Sequence, residues 1–473
     1  MPERQSRQRH LRDVDAMTTV TSFRPRTRRN VELVLLLLAV TIVLVAYLNV
    51  GLAMDGAFPP DLVKYGFGLL ALSVGFHLVL RWRASYADPL MLPIATLLNG
   101  LGLVMIHRLD LGAGHTGSKL EAPKQLIWST LAVLLACVVI IVLRDHRQLR
   151  RFTFTAMAFG LVLLLLPLVP GIRREINGSR IWIGVGPLSF QPGEVAKILL
   201  VIFFAGYLVQ TRDVLSLVGR RFLGISLPRA QDLGPILIAW LASVGVLVFE
   251  KDLGSSLLFF GLFVSMLYVA TERRSWIAIG MTLFCAGSYV AYLLFGHVQQ
   301  RVLLWLDPFN PDVSDQVAKG LMGMAQGGLL GSGLGRGHPG ITYFPESDFI
   351  YPSFGEEIGL IGLFALLLLY ILLVERGLRT ALGVRDGFGK LLAVGLSFSM
   401  ALQCFVVVGG VTRVIPLTGL TMPFLSYGGS SLLANWSLIA LLLRISDQAR
   451  RPLPDSDELD SASSAHTQVV RTQ

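Results

Sequence analysis

"GEEIGLIGLFALLLLYILLV", Gly355 to Val374, decides the fold. Two adjacent acids, Glu356 and Glu357, open onto an uncharged apolar run that starts at Ile358. Crossing a bilayer takes about 20 apolar residues in helical form. Lipid offers the backbone no hydrogen-bond partners, so a spanning segment of this kind is a helix. The signal recurs along the chain. About twelve spans are expected, near 33–53, 65–80, 90–106, 126–143, 152–168, 193–209, 235–249, 253–270, 276–295, 358–374, 391–409 and 431–443. Of the 473 residues, 53% are hydrophobic and 15% charged, against roughly 25% charged in a soluble protein. The fold class is an all-α polytopic membrane protein.

The net charge is +10. Its arginines sit in short connections: Arg81 and Arg83, "RDHRQLRR" at 144–151, Arg273 and Arg274, Arg376, Arg379 and Arg385, and Arg444, Arg450 and Arg451. That bias places these segments and both termini in the cytoplasm, and it explains the charge without nucleic acid. Segments 107–125, 169–192, 297–357 and 411–430 then face outside. The third is too long to be an idle connection and must pack on the helices or close over a cavity. Residues 1–32 read as an Arg-rich cytoplasmic tail, and 447–473 as a polar, disordered one. No cleavage pattern precedes the run from Leu33, so it reads as a retained span. Cys137, Cys285 and Cys404 fall in apolar segments and form no disulfide or metal frame.

Four segments can carry chemistry. In "NGSRIWIGVGPLSFQPGEVAKILL", Asn177 to Leu200, Pro192 suits a helix's first turn, and Glu194 and Lys197 share one helical face. Charges at that depth face a protein interior or a wet cavity. The pair is either a structural ion pair or the wall of a site for a charged substrate. Arg180 lies nearby, outside. In the long loop, "GSGLGRG" (Gly331 to Gly337) is no nucleotide fingerprint, because no strand precedes it and no Walker lysine follows. Its glycines allow tight turns and close backbone approach. "DQVAKGLMGMAQGG" reads as a short helix on the membrane surface, and His338 has no partner pattern for a metal. In "PESDFIYPSF", Asp348 follows Glu346 and precedes Phe349, Tyr351 and Phe354. An apolar wall raises a carboxylate's pKa towards that of a general base. Glu356 and Glu357 sit where the helix macrodipole favours acids. In "TRVIPLTGLTMPFLSYGGSSLLANW", Ser426 and Ser430 put hydroxyls at membrane depth, either for close helix packing or lining a polar cavity.

In this order the segments resemble the SEDS family of bacterial membrane glycosyltransferases, the RodA and FtsW group. "NGSRIWI" looks like its N/A-x-R-W element and "FQPGEVAKI" like FQPSExxKI. "KDLGSS" is similar to PDLGTS, "LDP" (Leu306 to Pro308) to its own LDP, and "PESDFI" to PExxTDFI. "FGEEIGLIG" is similar to xAEELGLxG, and "PFLSYGGSSLL" to the final signature. "PESDFI" is two residues short, "PGE" replaces PSE, Lys251 replaces a proline, and "SDQVAKG" departs from the GYQ element. "FQPGE" leans to RodA and "PFLSYGGSSLL" to FtsW; RodA is preferred.

The resemblance implies a ten-helix core over 88–446 preceded by two extra transmembrane helices within 33–87. The large extracytoplasmic loop, 297–357, then lies between the ninth and tenth spans. It implies polymerisation of lipid II into glycan strands on the outer face of the cytoplasmic membrane, with release of polyprenyl pyrophosphate. It puts the catalytic aspartate at Asp348, the membrane-face acid and base at Glu194 and Lys197, and the loop arginine at Arg180. Arg301, Glu346, Ser426 and Ser430 are further substrate-binding candidates. No metal-ligand set is evident, although a divalent cation, Mg or Mn, could help pyrophosphate leave. The implied partners are a class B penicillin-binding protein that cross-links the strands and other elongation or division machinery. The alternatives are a division-type polymerase and a flippase or transporter of lipid-linked precursor.

Overall fold

The computed structural model describes residues 27–176, 179–185, 188–216, 252–310 and 314–452, with short pieces at 221–222, 225–226, 241, 245 and 249–250. Eight described helices precede the long loop: α1 (Arg29–Met54), α2 (Leu62–Arg83), α3 (Met91–Gly112), α4 (Ala122–Val142), α5 (Thr153–Leu165), α6 (Pro192–Ser216), α7 (Leu253–Thr271) and α8 (Ser275–Leu294). The loop holds α9 (Gly296–Leu306) and α10 (Gln316–Gly327), and α11 (Ile350–Gly383), α12 (Gly387–Val411) and α13 (Gly429–Arg450) follow it. All but α9 and α10 are long and apolar enough to cross a membrane, α5 together with the 3-10 turns at its two ends. The expected span at 235–249 falls largely outside the described residues, as do residues 1–26 and 453–473 of the two tails. Helix α1 starts at Arg29 and α13 continues to Arg450, so both take in residues read above as tail.

Burial separates the centre of the bundle from its rim. Helices α3, α6 and α13 are buried along more than three-quarters of their apolar windows, and α8 almost nowhere. Helix α13 packs on α4, α12 on α6, α7 and α11, and the α1–α2 hairpin on α3 and α4. Small residues set the closest approaches between helices: a Cβ at Gly395 in α12 would stand 2.7 Å from Val201 Cγ1 in α6. In an apolar surround, van der Waals contact of this kind drives helix association.

Buried charges tie the N-terminal hairpin and α13 to the core at one end of the bundle. Glu32 accepts from Arg29 Nη1 at 2.6 Å and pairs with His77 Nδ1 at 2.7 Å, and Arg29 also donates to Ala87 O. Arg444 donates to Arg83 O and Ile140 O at 2.8 and 2.6 Å. Asp88 and Asp447, both fully buried, meet Arg450 and Arg451. Each charge has a counter-ion, the condition under which burial is tolerated.

Two features lay beyond periodicity. Residues in the 169–192 segment form a three-stranded antiparallel sheet, β1 (Arg173–Ile176), β2 (Ser179–Val185) and β3 (Leu188–Phe190). The tenth-span helix begins at Ile350 rather than 358 and breaks at Gly359, whose φ of 67° admits no side chain without strain. A Cβ there would also strike the amide of Gly331. Glu356 and Glu357 therefore do not sit at a helix mouth. They are buried inside α11 and hold the glycine-rich loop. Arg108 Nε donates to Glu357 Oε1 at 2.7 Å and its Nη2 to Gly337 O at 2.6 Å. Gly335 N donates to Glu357 Oε2 at 3.1 Å, and His338 N to Glu356 Oε1 at 2.5 Å. The far side of that loop rests on α1: a Cβ at Gly335 would stand 2.8 Å from Ala53 Cβ.

Candidate active site

The loop between α12 and α13, residues 412–428, is the floor on which the candidates assemble. Its Gly419, at φ 75°, leaves room for two opposite charges. From the position of a Cβ on Gly419, Asp348 Oδ2 is 3.6 Å away and Arg301 Nη2 3.8 Å. Arg301 projects from α9 and donates through Nη1 to Thr418 O at 3.0 Å. Asp348, half-buried, stands just before α11. Removal from water pushes its carboxyl up to about 7, Glu346 and Asp252 push the same way, and Arg301 draws it back. A carboxyl in that range exchanges protons near neutral pH, as a general base must. Burial also raises Glu346.

The same loop is pinned from below. Ser426 Oγ donates to Ser347 O at 2.7 Å and accepts from Met422 N at 2.8 Å. Tyr427 N donates to Glu346 O at 2.7 Å. Gln125 Nε2 donates to Ser426 O at 3.0 Å, and Gly428 N to Gln125 Oε1 at 3.1 Å. Ser430 Oγ accepts from Gln191 N at 2.9 Å, joining α13 to the start of α6. Ser426 thus holds backbone in place beside Asp348, and Ser430 ties the start of α6 to α13.

Glu194 and Lys197 lie one turn apart on α6, 6% and 2% exposed. Lys197 Nζ donates to Glu194 Oε2 at 2.9 Å and to Gln403 Oε1 at 2.7 Å. Gln403 Nε2 donates to Thr421 O at 2.9 Å. The ion pair therefore reaches the loop of Gly419 through one amide. Arg180 falls on β2, and its side chain lies outside the described residues.

The "KDLGSS" segment brings a further acid to the site, Asp252, which the sequence alone leaves without a role. That carboxylate caps α7, accepting from Gly254 N at 3.1 Å and Ser255 N at 3.2 Å. Burial raises its pKa, and its charge is felt by Arg301 and Asp348. Gly254 lets it come close, since a Cβ there would be 2.9 Å from Thr418 O. The Asp-x-Gly-Ser order is a cap signature that sequence could have yielded. Gln403 and Arg108 gave no such signal. Among the described residues, no three of His, Cys, Asp and Glu converge to hold a metal ion.

Fold and site together define a multi-pass membrane protein with an acid–cation centre built from loops at one end of the bundle. The chain belongs to the cell cycle protein family of FtsW, RodA and SpoVE, whose sequence model matches residues 89–451. It is 52% identical over 432 residues to the peptidoglycan glycosyltransferase RodA of Mycobacterium tuberculosis, covering 90% of this chain and 92% of that protein. It is 30% identical to a probable peptidoglycan glycosyltransferase FtsW of Geobacter metallireducens, over 80% of this chain and 99% of that one. Among solved structures it resembles a chain of a peptidoglycan synthase complex described as coordinating polymerization and crosslinking. That match has a TM-score of 0.62 and 27% identity, over 77% of this chain and 98% of that chain.

Proposed function

We propose that the chain is a peptidoglycan glycosyltransferase of the RodA type that polymerises lipid II, with Asp348 as general base. The observation that carries this is Asp348 facing Arg301 across Gly419, half-buried and with its carboxyl raised to about 7. The ionised carboxylate takes the proton of the acceptor sugar's 4-hydroxyl. The freed oxygen bonds to the donor's anomeric carbon, whose bond to the polyprenyl pyrophosphate breaks. Pyrophosphate leaves with the electron pair, and the proton passes from Asp348 to solvent. Fixed cations facing the developing charge supply the largest catalytic gain in a partly dry site. Arg301 is placed for that role, Arg180 is the second candidate, and Lys197 acts from beneath through Gln403.

The named activity of relatives at 52% identity supports the reading, and the greater identity to RodA than to FtsW favours elongation and cell shape. The arginine bias supports an orientation with both termini in the cytoplasm and Asp348 outside, where no ATP is present and the donor must carry its own leaving group. An apolar groove of about 700 Å³ between α11 and α12 runs up to Thr412 and Val414, in the loop of Gly419. It offers the polyprenyl tail a path along the helices. A transpeptidase partner of the class B penicillin-binding type fits the synthase-complex likeness.

The test is purified protein with lipid II, with and without that transpeptidase, read on a gel. A ladder of glycan strands is expected. Labelled lipid crossing vesicles with no polymer formed would make the chain a transporter instead.

A further inference from the structure

Helix α9 carries Arg301 and Trp305 one turn apart, on one face. Both reach the 412–419 loop, Arg301 at Thr418 O and Trp305 at Arg413 O, each at 3.0 Å. Arg413 answers from the loop. Its Nε donates to Trp305 O and its Nη2 to Leu306 O, both at 3.0 Å. Those are the last carbonyls of α9, groups that a helix end leaves without partners and that a cation satisfies best. The contact is reciprocal, with each residue donating to the other's backbone. Arg413 makes it from φ 62°, a left-handed conformation that disfavours a side chain. The two carbonyl contacts of its guanidinium offset a backbone conformation in which a glycine would be relaxed.

We propose that Arg413 and Trp305 are positioning residues: they latch the end of α9 to the 412–419 loop and so fix the Arg301 guanidinium beside Asp348. The proposal rests on Asp348 being the base assigned above. Three charged groups face Asp348: Arg301 from α9, Glu346 from its own loop and Asp252 from the start of α7. Arg301 is the single cation among them. If the latch opens, Asp348 keeps its two acidic neighbours and loses the charge that favours its ionised form.

The test uses three variants of the full chain. Arg413→Gly removes the guanidinium and relaxes the backbone, so folding is not put at risk by strain. Trp305→Phe removes one donor, and Arg301→Gln removes the charge itself. Loss of a neighbouring opposite charge moves a carboxylate by about 1–3 units. The acidic limb of the pH–rate profile for lipid II polymerisation should rise by that amount in Arg301→Gln and by at least ~0.5 unit in Arg413→Gly. Arg413→Lys should restore part of the shift. Independently of turnover, spin labels at the exposed positions 303 and 414 report the distance between α9 and the loop. The labels are placed in a chain whose Cys137, Cys285 and Cys404 are serine. That distance should broaden in Arg413→Gly and Trp305→Phe. An unchanged distance, or a limb that moves in Arg301→Gln and not in Arg413→Gly, overturns the latch. A limb unmoved in Arg301→Gln overturns the assignment of Asp348, and the positioning claim with it.

Discussion

Replacing Lys197 with methionine separates the two meanings of the buried Glu194–Lys197 pair. The ammonium is 2% exposed and donates to both Glu194 and Gln403. Its loss leaves a carboxylate that is 6% exposed without a counter-ion, and Gln403 Oε1 without that donor. Breaking a buried pair from one side costs about 3–5 kcal/mol, and an orphaned buried amide oxygen adds about 1–3 kcal/mol. Lys197→Met should therefore unfold much of the chain. The double variant Glu194→Gln/Lys197→Met carries neither charge, and exchanging a buried pair for neutral groups is often free of cost. It should recover the cost of the broken pair and melt below the wild type only by what the unpaired Gln403 oxygen costs, about 1–3 kcal/mol. The assay is thermal unfolding in detergent beside lipid II polymerisation on a gel, each rate divided by the folded fraction. If the pair serves the reaction, the double variant is stable and polymerises at least about tenfold more slowly, some 1.4 kcal/mol of barrier. A double variant both stable and fully active would show that the pair only locks α6 against α12.

Polymerisation should rise as pH passes upward through about 7, because the base works ionised and Asp348 is raised to about 7; a rate already maximal at pH 5 would contradict this. The same shift sets a stability trend. A carboxyl raised on folding holds its proton in the folded chain after the unfolded chain has lost it. Stability contributed by the protonated form is lost as pH climbs from about 4 to about 7. Asp348→Asn should accordingly melt higher than wild type at pH 8 and equally at pH 4, measured in detergent. Glu357→Ala leaves Arg108 buried and unpaired, at a cost of about 3–5 kcal/mol; protease cutting within 331–337 should become faster. Ala53→Trp drives a ring into Gly335 and should slow polymerisation while leaving the melting of α12 and α13, followed by hydrogen exchange, unchanged.

Much of the fold was legible because a membrane asks one thing of a segment, length of apolar run. Helices α2, α7, α8 and α12 begin and end within a few residues of their apolar runs. The start of α11 was misplaced because "IYPSFGEE" carries two acids, and their burial depends on Arg108, some 250 positions away, and on amides of the glycine-rich loop. No local pattern encodes that. The short sheet β1–β3 was missed since strands of three to seven residues next to membrane spans have little periodicity to read. At the site, Glu194 and Lys197 declared their pairing by spacing alone. Asp348 and Arg301 did not, because their meeting at Gly419 is made by two loops and a short helix far apart in sequence. The resemblance carried Asp348 where spacing could not, and it left Asp252, Gln403 and Arg413 unmarked.

Asp348→Asn, compared with wild type on purified lipid II at equal folded protein, bears most directly on the reaction assigned to this chain. Substrate still bound with no glycan ladder is the expected result, since the amide keeps the shape and cannot accept the proton. A ladder formed at the wild-type rate would remove Asp348 from the chemistry.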